Sequence, residues 1–459
     1  MRKSIVRIER IELINFKNVE NGCVEFENSK DSNFLSQIMG IYGQNGSGKT
    51  ALVNACDFFK KMLEGLSIPD DAYNYININS EESTLKFDLY ASFQKNEYKI
   101  TYEFTFKKCE DKKFVISKEK LSAAKRKENE WSSKVAIIDY DIDNQEELFT
   151  PKWRYNEILS NSKDNIVNLK VAQKITIEKC SSFIFCDEFK NIINRVESQQ
   201  DLINILDVLK YFGRYNLFVI SSNHTGFINM NILMPLSFRL EENEHISSGD
   251  IAVRLDNISI VKKPIFDLAS NIIKQMDVVL KYIVPSLKIE LYNYGEQLDE
   301  KGDKGVKVEL VSKKNNCNLP LKYESEGIKK IISILSALIA MYNNPSICMV
   351  VDELDSGIFE FLLGEMLKVI ENGGKGQLLF TSHNLRPLEV LSKNSLFFTT
   401  TNSKNRYIKL TNIKNNNNLR SVYIRSINLG GQKEELYDET DALEIQRAFR
   451  LAGDKLNAR

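Results

Sequence analysis

One octapeptide constrains this chain more than anything else in it: Gly43-Gln44-Asn45-Gly46-Ser47-Gly48-Lys49-Thr50. At average composition, such a spacing of glycines, lysine and threonine arises by chance in about one chain of this length in a hundred. The flanks narrow it further. Residues 38–42 are a short apolar run, read as a buried strand, and they lead straight into the glycines. From Thr50 onward, apolar residues fall at Leu52, Val53, Cys56, Phe59, Met62 and Leu63, which is helical spacing. Strand, glycine loop, helix is the order a phosphate-binding loop needs. Its glycines let successive backbone N–H groups turn inward around an anion. The helix points its positive N-terminal end at the same place. Gly43, Asn45, Gly46 and Gly48 are the expected cradle for the phosphates of ATP. Lys49 would place a cation on the β and γ phosphates, and the Thr50 hydroxyl would ligate Mg²⁺.

Two later strand ends supply groups that such a loop requires. Ile347-Cys348-Met349-Val350-Val351 is an apolar run ending in Asp352-Glu353. Asp352 would share the Mg²⁺ shell with Thr50, and Glu353 would polarise an attacking water. Leu378-Leu379-Phe380-Thr381 runs into Ser382-His383, where a neutral imidazole can reach the γ-phosphate or the water. A third segment, Tyr323-Glu324-Ser325-Glu326-Gly327, precedes a long apolar helix. Ser325 is a good N-cap there. A helix start carrying Ser325 and Gly327 also makes an anion site.

The rest of the chain sets these motifs in an α/β frame. Residues 5–26 alternate apolar and polar on either side of Asn21-Gly22, which predicts a β-hairpin turning at that pair. Residues 84–106 alternate again, as antiparallel strands do. From 107 to 264 the pattern loosens, with helical periodicity returning at 189–211. This stretch is expected as a mixed, partly helical insertion. Its basic run, 118–127, reads as a solvated charged helix. A regular block follows, with helices at 265–282, 325–341 and 359–370 and strands at 287–291, 306–311, 347–351 and 378–381. The expected organisation is therefore 1–106 and 265–430 as two halves of one core, 107–264 between them, and a tail at 431–459. A turn is expected at Asn415 to Asn418. No sustained heptads occur, so long coiled-coil arms are not expected.

Composition removes several classes of function. The chain has 62 basic and 62 acidic residues, so no global field draws it to nucleic acid or membrane. Any nucleic-acid contact would need a local patch. There are seven cysteines without a C-x-x-C pair and three histidines, which argues against a Cys/His zinc site. Buried, reduced thiols are the expectation. No apolar run reaches the roughly 18 residues that span a bilayer, and Met1 to Val6 lack a signal core. A soluble, cytoplasmic protein without a membrane partner is expected.

The order of the motifs resembles the ABC-type ATPases of the SMC/RecF/OLD group. The fold this implies is an ABC-type P-loop core: a mixed sheet flanked by helices, with N-terminal antiparallel strands. By the resemblance, Glu324-Ser325-Glu326-Gly327 stands where the family has Leu-Ser-Gly-Gly, with Ser325 and Gly327 covering the γ-phosphate held by another copy. Glu326 departs from that pattern. Leu354-Asp355-Ser356 looks like the D-loop and His383 like the switch histidine. Asn15-Phe16-Lys17-Asn18 looks like the segment that brings Lys17 to the nucleotide from the first hairpin. Gln94 is the candidate for the Q-loop glutamine. Phe380-Thr381-Ser382-His383-Asn384-Leu385-Arg386-Pro387 and Asn405-Arg406-Tyr407-Ile408 narrow the resemblance to the AAA family ATPases of bacterial abortive-infection and phage-defence operons. That family implies a homo-oligomer, from a dimer up to a hexamer. It also implies a separate effector such as a Toprim-type nuclease, and a phage-encoded trigger protein. After His383 roughly 75 residues follow, short of the ~100 of a typical domain, and they lack the Glu and Asp-x-Asp pattern of a Toprim nuclease. Two other readings stand beside it. A RecF-type repair ATPase would use the 118–127 run to bind DNA with steep salt dependence. A transporter ATPase subunit would need a membrane partner.

Overall fold

The computed structural model describes residues 4–27, 34–110, 113–128, 130–144, 147–242, 245–298, 302–314, 317–411 and 418–457. The turn expected at Asn415 to Asn418 lies, for its first three residues, outside them. The chain starts with a hairpin, β1 (Ile5–Phe16) and β2 (Val19–Glu25). Next come β3 (Gln37–Tyr42) and helix α1 (Lys49–Glu64). β4 (Glu82–Phe93), β5 (Asn96–Lys108), β6 (Phe114–Lys127) and β7 (Val135–Asp141) continue the hairpin as one antiparallel sheet, in the order β2-β1-β4-β5-β6-β7. Two-residue strands at Glu130–Trp131 and Phe149–Thr150 pair with β6 and β7.

The second sheet holds the motifs. Helix α2 (Gln200–Tyr215) leads into β8 (Leu217–Ile220). Then follow α3 (Lys263–Ile283), α4 (Glu326–Asn343), β9 (Cys348–Val351), α5 (Glu360–Gly373), β10 (Gln377–Thr381), β11 (Leu396–Thr399), β12 (Tyr407–Ile408) and, near the end, α6 (Ala442–Asn457). The strand order is β8-β9-β10-β3-β11-β12, parallel except for the last pair. Parallel strands covered on both faces read as continuous apolar runs, and the two-residue period sorts each strand between two cores. Met39, Ile41, Cys348, Val350 and Leu379 face a core shared with α1, α2 and the antiparallel sheet. Ile38, Tyr42, Met349, Val351, Leu378 and Phe380 face another, shared with α3, α4 and α5. In the first core Phe59 stacks on Phe87 with ring centroids 3.9 Å apart. α4 is apolar nearly all round because it is buried nearly all round. The mixed α/β core with N-terminal antiparallel strands is the expected fold class.

Within 107–264, β6 and β7 extend the antiparallel sheet and β8 pairs with β9. Three expectations change. The 118–127 run is a strand, not a helix. Lys118 and Lys120 point outward, paired with Asp141 and Asp139 at 3.0 and 2.7 Å. Between them Glu119 is fully buried, accepting hydrogen bonds from Tyr102 Oη at 2.7 Å and from Ser182 Oγ and the Phe183 N–H at 2.5 Å. The first hairpin turns at Lys17-Asn18, and Asn21 and Gly22 pair with Ile14 and Leu13 inside β2. Gly22 lies under the Tyr407 ring, where a Cβ would come within 2.6 Å of the ring carbons. Of the thiols, Cys109 and Cys317 are exposed rather than buried, and none of the seven is in a disulfide.

Candidate functional site

Parallel α/β sheets bind ligands beyond the carboxyl ends of their strands. β3 ends in Tyr42, β9 in Val351 and β10 in Thr381, so the P-loop, Asp352-Glu353 and Ser382-His383 leave the sheet on one side. They enclose a cavity of about 290 Å³. Its lining includes Asn45, Gly46, Gly48, Lys49, Thr50, Lys17, Asp352, Glu353 and His383.

The loop takes its shape from positive φ at Gly46 (75°) and Gly48 (98°), where side chains are strained. Gly48 is the left-handed N-cap of α1. Gly43 is needed for space as well: a Cβ there would sit 1.6 Å from Thr399 Oγ1. Lys49 Nζ donates to the carbonyls of Gly43 and Gln44 at 2.7 and 2.8 Å, which holds the ammonium beside the loop. Burial lowers the Lys49 pKa, against the pull of Asp352, Glu353 and Asp355.

A brace holds the loop from behind, and Asn18, Arg406 and Tyr407 of the quoted motifs belong to it. Thr399 Oγ1 donates to Ser47 Oγ at 2.6 Å, and Tyr407 Oη donates to the Gly48 carbonyl at 2.7 Å. Asn18 Nδ2 donates to the Gly46 carbonyl. Arg406 in turn holds the Asn18 carbonyl, at 2.7 Å. Gln44 is fastened twice to Asp438 in the tail, through Nε2 to Oδ2 at 2.9 Å and by accepting from the Asp438 N–H at 3.0 Å.

Opposite Lys49, the carboxylates are tightly positioned. Asp352 is 1% exposed. Its Oδ1 accepts from Thr381 Oγ1 at 2.7 Å and lies 3.5 Å from Thr50 Oγ1. Its Oδ2 is buried with no protein partner, an arrangement that costs free energy unless another group completes it. A carboxylate oxygen and a threonine hydroxyl are hard donors of the kind Mg²⁺ takes alongside substrate phosphates. Among the described residues no cluster of three or more His, Cys, Asp or Glu could hold a metal by itself. Glu353 has φ 48°, a left-handed conformation costly for a non-glycine residue, and its N–H is held by Thr381 Oγ1 at 2.8 Å. Asp355 Oδ2 accepts from the N–H groups of His383 and Asn384 at 3.1 and 3.0 Å, which ties the β10 exit to the β9 exit. Lys330, 1% exposed on α4, donates to Thr225 Oγ1 at 2.7 Å and lies 3.5 Å from the Asp352 carbonyl. Burial brings its pKa down to about 8, opposed by Asp352, Glu353 and Asp355.

Lys17, at φ 54° in the hairpin turn, donates to Asn54 Oδ1 at 3.2 Å and sits 4.2 Å above the Tyr75 ring. Ser325 and Gly327 are elsewhere. Neither lines the cavity. Ser325 Oγ caps α4 by accepting from the Ile328 N–H at 3.3 Å. Gly327 packs on the loop after β9, where a Cβ would meet the Gly357 carbonyl oxygen at 2.0 Å. Gly327→Ala is therefore expected to destabilise the fold by about 1–3 kcal/mol, towards the upper end because the obstacle is backbone. Calorimetric unfolding checks this, and an unchanged Tm would contradict the packing. Gln94 lies in the turn between β4 and β5, beside Asn204, and does not line the cavity. No helix among the described residues is long and apolar enough to cross a membrane.

No family model matches the chain, and no curated protein does. Several solved structures are similar to it. One is the SmcHead bound to the C-winged helix domain of ScpA, at 14% identity over 88% of this chain and 98% of that one, with a TM-score of 0.42. Another is the SMC head domain from Thermotoga maritima, at 14% identity, 88% and 99% coverage and a TM-score of 0.33. A third is the recombination mediator protein RecF-ATPrS of the RecFOR pathway, at 13% identity, 82% and 93% coverage and a TM-score of 0.35.

Proposed function

We propose that the cavity binds ATP with Mg²⁺ and hydrolyses it. The observation that carries this is convergence: Lys49, Thr50, Asp352, Glu353 and His383, from three strand ends far apart in sequence, line one space. Lys49 takes the β and γ phosphates, and Gly46 and Gly48 give them backbone N–H groups. Mg²⁺ would be held by Thr50 and by the open oxygen of Asp352, and it supplies charge neutralisation at the γ-phosphate. Glu353 orients and deprotonates the attacking water. His383 faces the same space and contacts the γ-phosphate.

The wider reading is a regulatory ATPase of a phage-defence complex. Its support is the motif resemblance, which is nearest to the AriA ATPase subunit of the PARIS system. In this reading ATP bound to one copy is covered by Ser325 and Gly327 of a second. Nucleotide-dependent self-association controls a separate toxic effector of the Toprim nuclease type, released when a phage protein is sensed. That Ser325 and Gly327 stand outside the cavity of their own chain fits a shared site. Ser325→Arg tests it: ATP binding per chain should persist, while ATP-dependent association and most turnover are lost. Wild-type turnover in that variant would reject the shared site. The DNA-repair reading is weakened at the 118–127 run, where Lys118, Lys120 and Arg126 are paired with Asp141, Asp139 and Glu97.

A further inference from the structure

α6 has apolar residues at Ile445, Ala448, Phe449 and Ala452, one stripe at helical spacing, with Arg447 and Arg450 on the other side. No described residue covers that stripe. Every side chain from 442 to 453 is exposed, Phe449 at 77%. A helix of this length is marginal alone in water and gains its stability by packing an apolar face. Just before it, the chain is fixed to the body through Asp438 on Gln44 and Glu434 on Asn402 and Asn405.

The same chain carries a receptor of matching character. An apolar groove of about 400 Å³ runs between α3, α4 and α5. Leu338 and Ile370 lie at its floor and Tyr282, Met366 and Val369 along its walls; Tyr282 is 79% and Val369 58% exposed. Glu365 is its single charged lining residue, so the groove offers an almost wholly apolar seat. An amphipathic helix in an apolar groove is a recurring recognition mode.

Area selects the occupant. A buried aromatic removes about 150–250 Å² from water. With three smaller neighbours, one seat buries on the order of 400 Å² on each side, about 800 Å² in all. That falls short of the roughly 1,200–2,000 Å² of a stable specific interface. Two reciprocal seats give about 1,600 Å² and close on a two-fold axis. We propose that α6 of one copy seats its Ile445–Phe449 stripe in the α3–α4–α5 groove of a second copy, which returns the same contact. The resulting homodimer needs no nucleotide.

Sedimentation of the full chain without nucleotide tests this, in the wild type and in the Lys49→Ala background. Dimers are expected in both at micromolar concentration. Phe449→Glu on the helix and Val369→Glu on the groove wall should each give monomers. Both positions are exposed, and circular dichroism verifies that each variant keeps its fold. Phe449→Cys and Val369→Cys, placed on separate chains with Cys109 and Cys317 changed to Ser, should form a disulfide-linked dimer only when mixed. A monomeric wild type, dimers that survive both glutamate variants, or no disulfide link between the mixed cysteine variants would each overturn the proposal.

Discussion

Lys49→Ala is expected to weaken ATP binding by about 2 to 4 kcal/mol, roughly thirty-fold to a thousand-fold, as one charged partner of the phosphates and its hydrogen bonds are removed. The ammonium is fixed on the P-loop side by the Gly43 and Gln44 carbonyls. Alanine leaves the glycine turns, the Ser47–Thr399 bond and the Tyr407–Gly48 bond untouched, so the loop should keep its shape. The loss should therefore appear in affinity and not in Tm. Equilibrium titration beside a thermal melt separates the two. Wild-type affinity in this variant would remove the P-loop from the account.

Glu353→Gln is expected to act on the chemical step instead. A positioned base contributes typically about a hundred-fold to ten-thousand-fold, and glutamine keeps the shape while losing the basicity. The strained φ of 48° belongs to the backbone and is kept by the Thr381 bond to the 353 N–H. Binding should stay within a few-fold of wild type, with turnover falling by about two orders of magnitude or more. ATP-dependent association should then persist for longer. Single-turnover phosphate release measures this directly. Unchanged turnover would reject Glu353 as the base and leave only its backbone role.

What the sequence disclosed and what it hid divide along physical lines. The P-loop, Asp352-Glu353 and His383 are legible because each is a short linear pattern at the end of an apolar strand, and strand ends are where this sheet exposes groups. The contacts of the brace are not legible, although Asn18, Arg406 and Tyr407 stand in quoted motifs. Thr399 meets Ser47 across 352 positions and Tyr407 meets Gly48 across 359, with no periodicity to announce either. Thr381, whose hydroxyl links Asp352 to Glu353, reads from sequence as one more strand residue. The β6 strand was hidden by its own core. Alternation is present at Lys118, Glu119, Lys120 and Leu121, but its buried member Glu119 is a carboxylate satisfied by Tyr102, Ser182 and Phe183. A polar residue in a core position erases the pattern that marks a strand. At Asn21-Gly22 a strong local turn signal loses to tertiary packing, since the glycine is required beneath Tyr407.

The most direct test of the central claim is a structure of the chain with a non-hydrolysable ATP analogue and Mg²⁺. The phosphates are expected over Gly46, Gly48 and Lys49, with the cation held by Thr50 and Asp352 and the γ-phosphate facing Glu353 and His383. A nucleotide bound elsewhere, or a cavity that stays free of it at saturating concentration, would contradict the account.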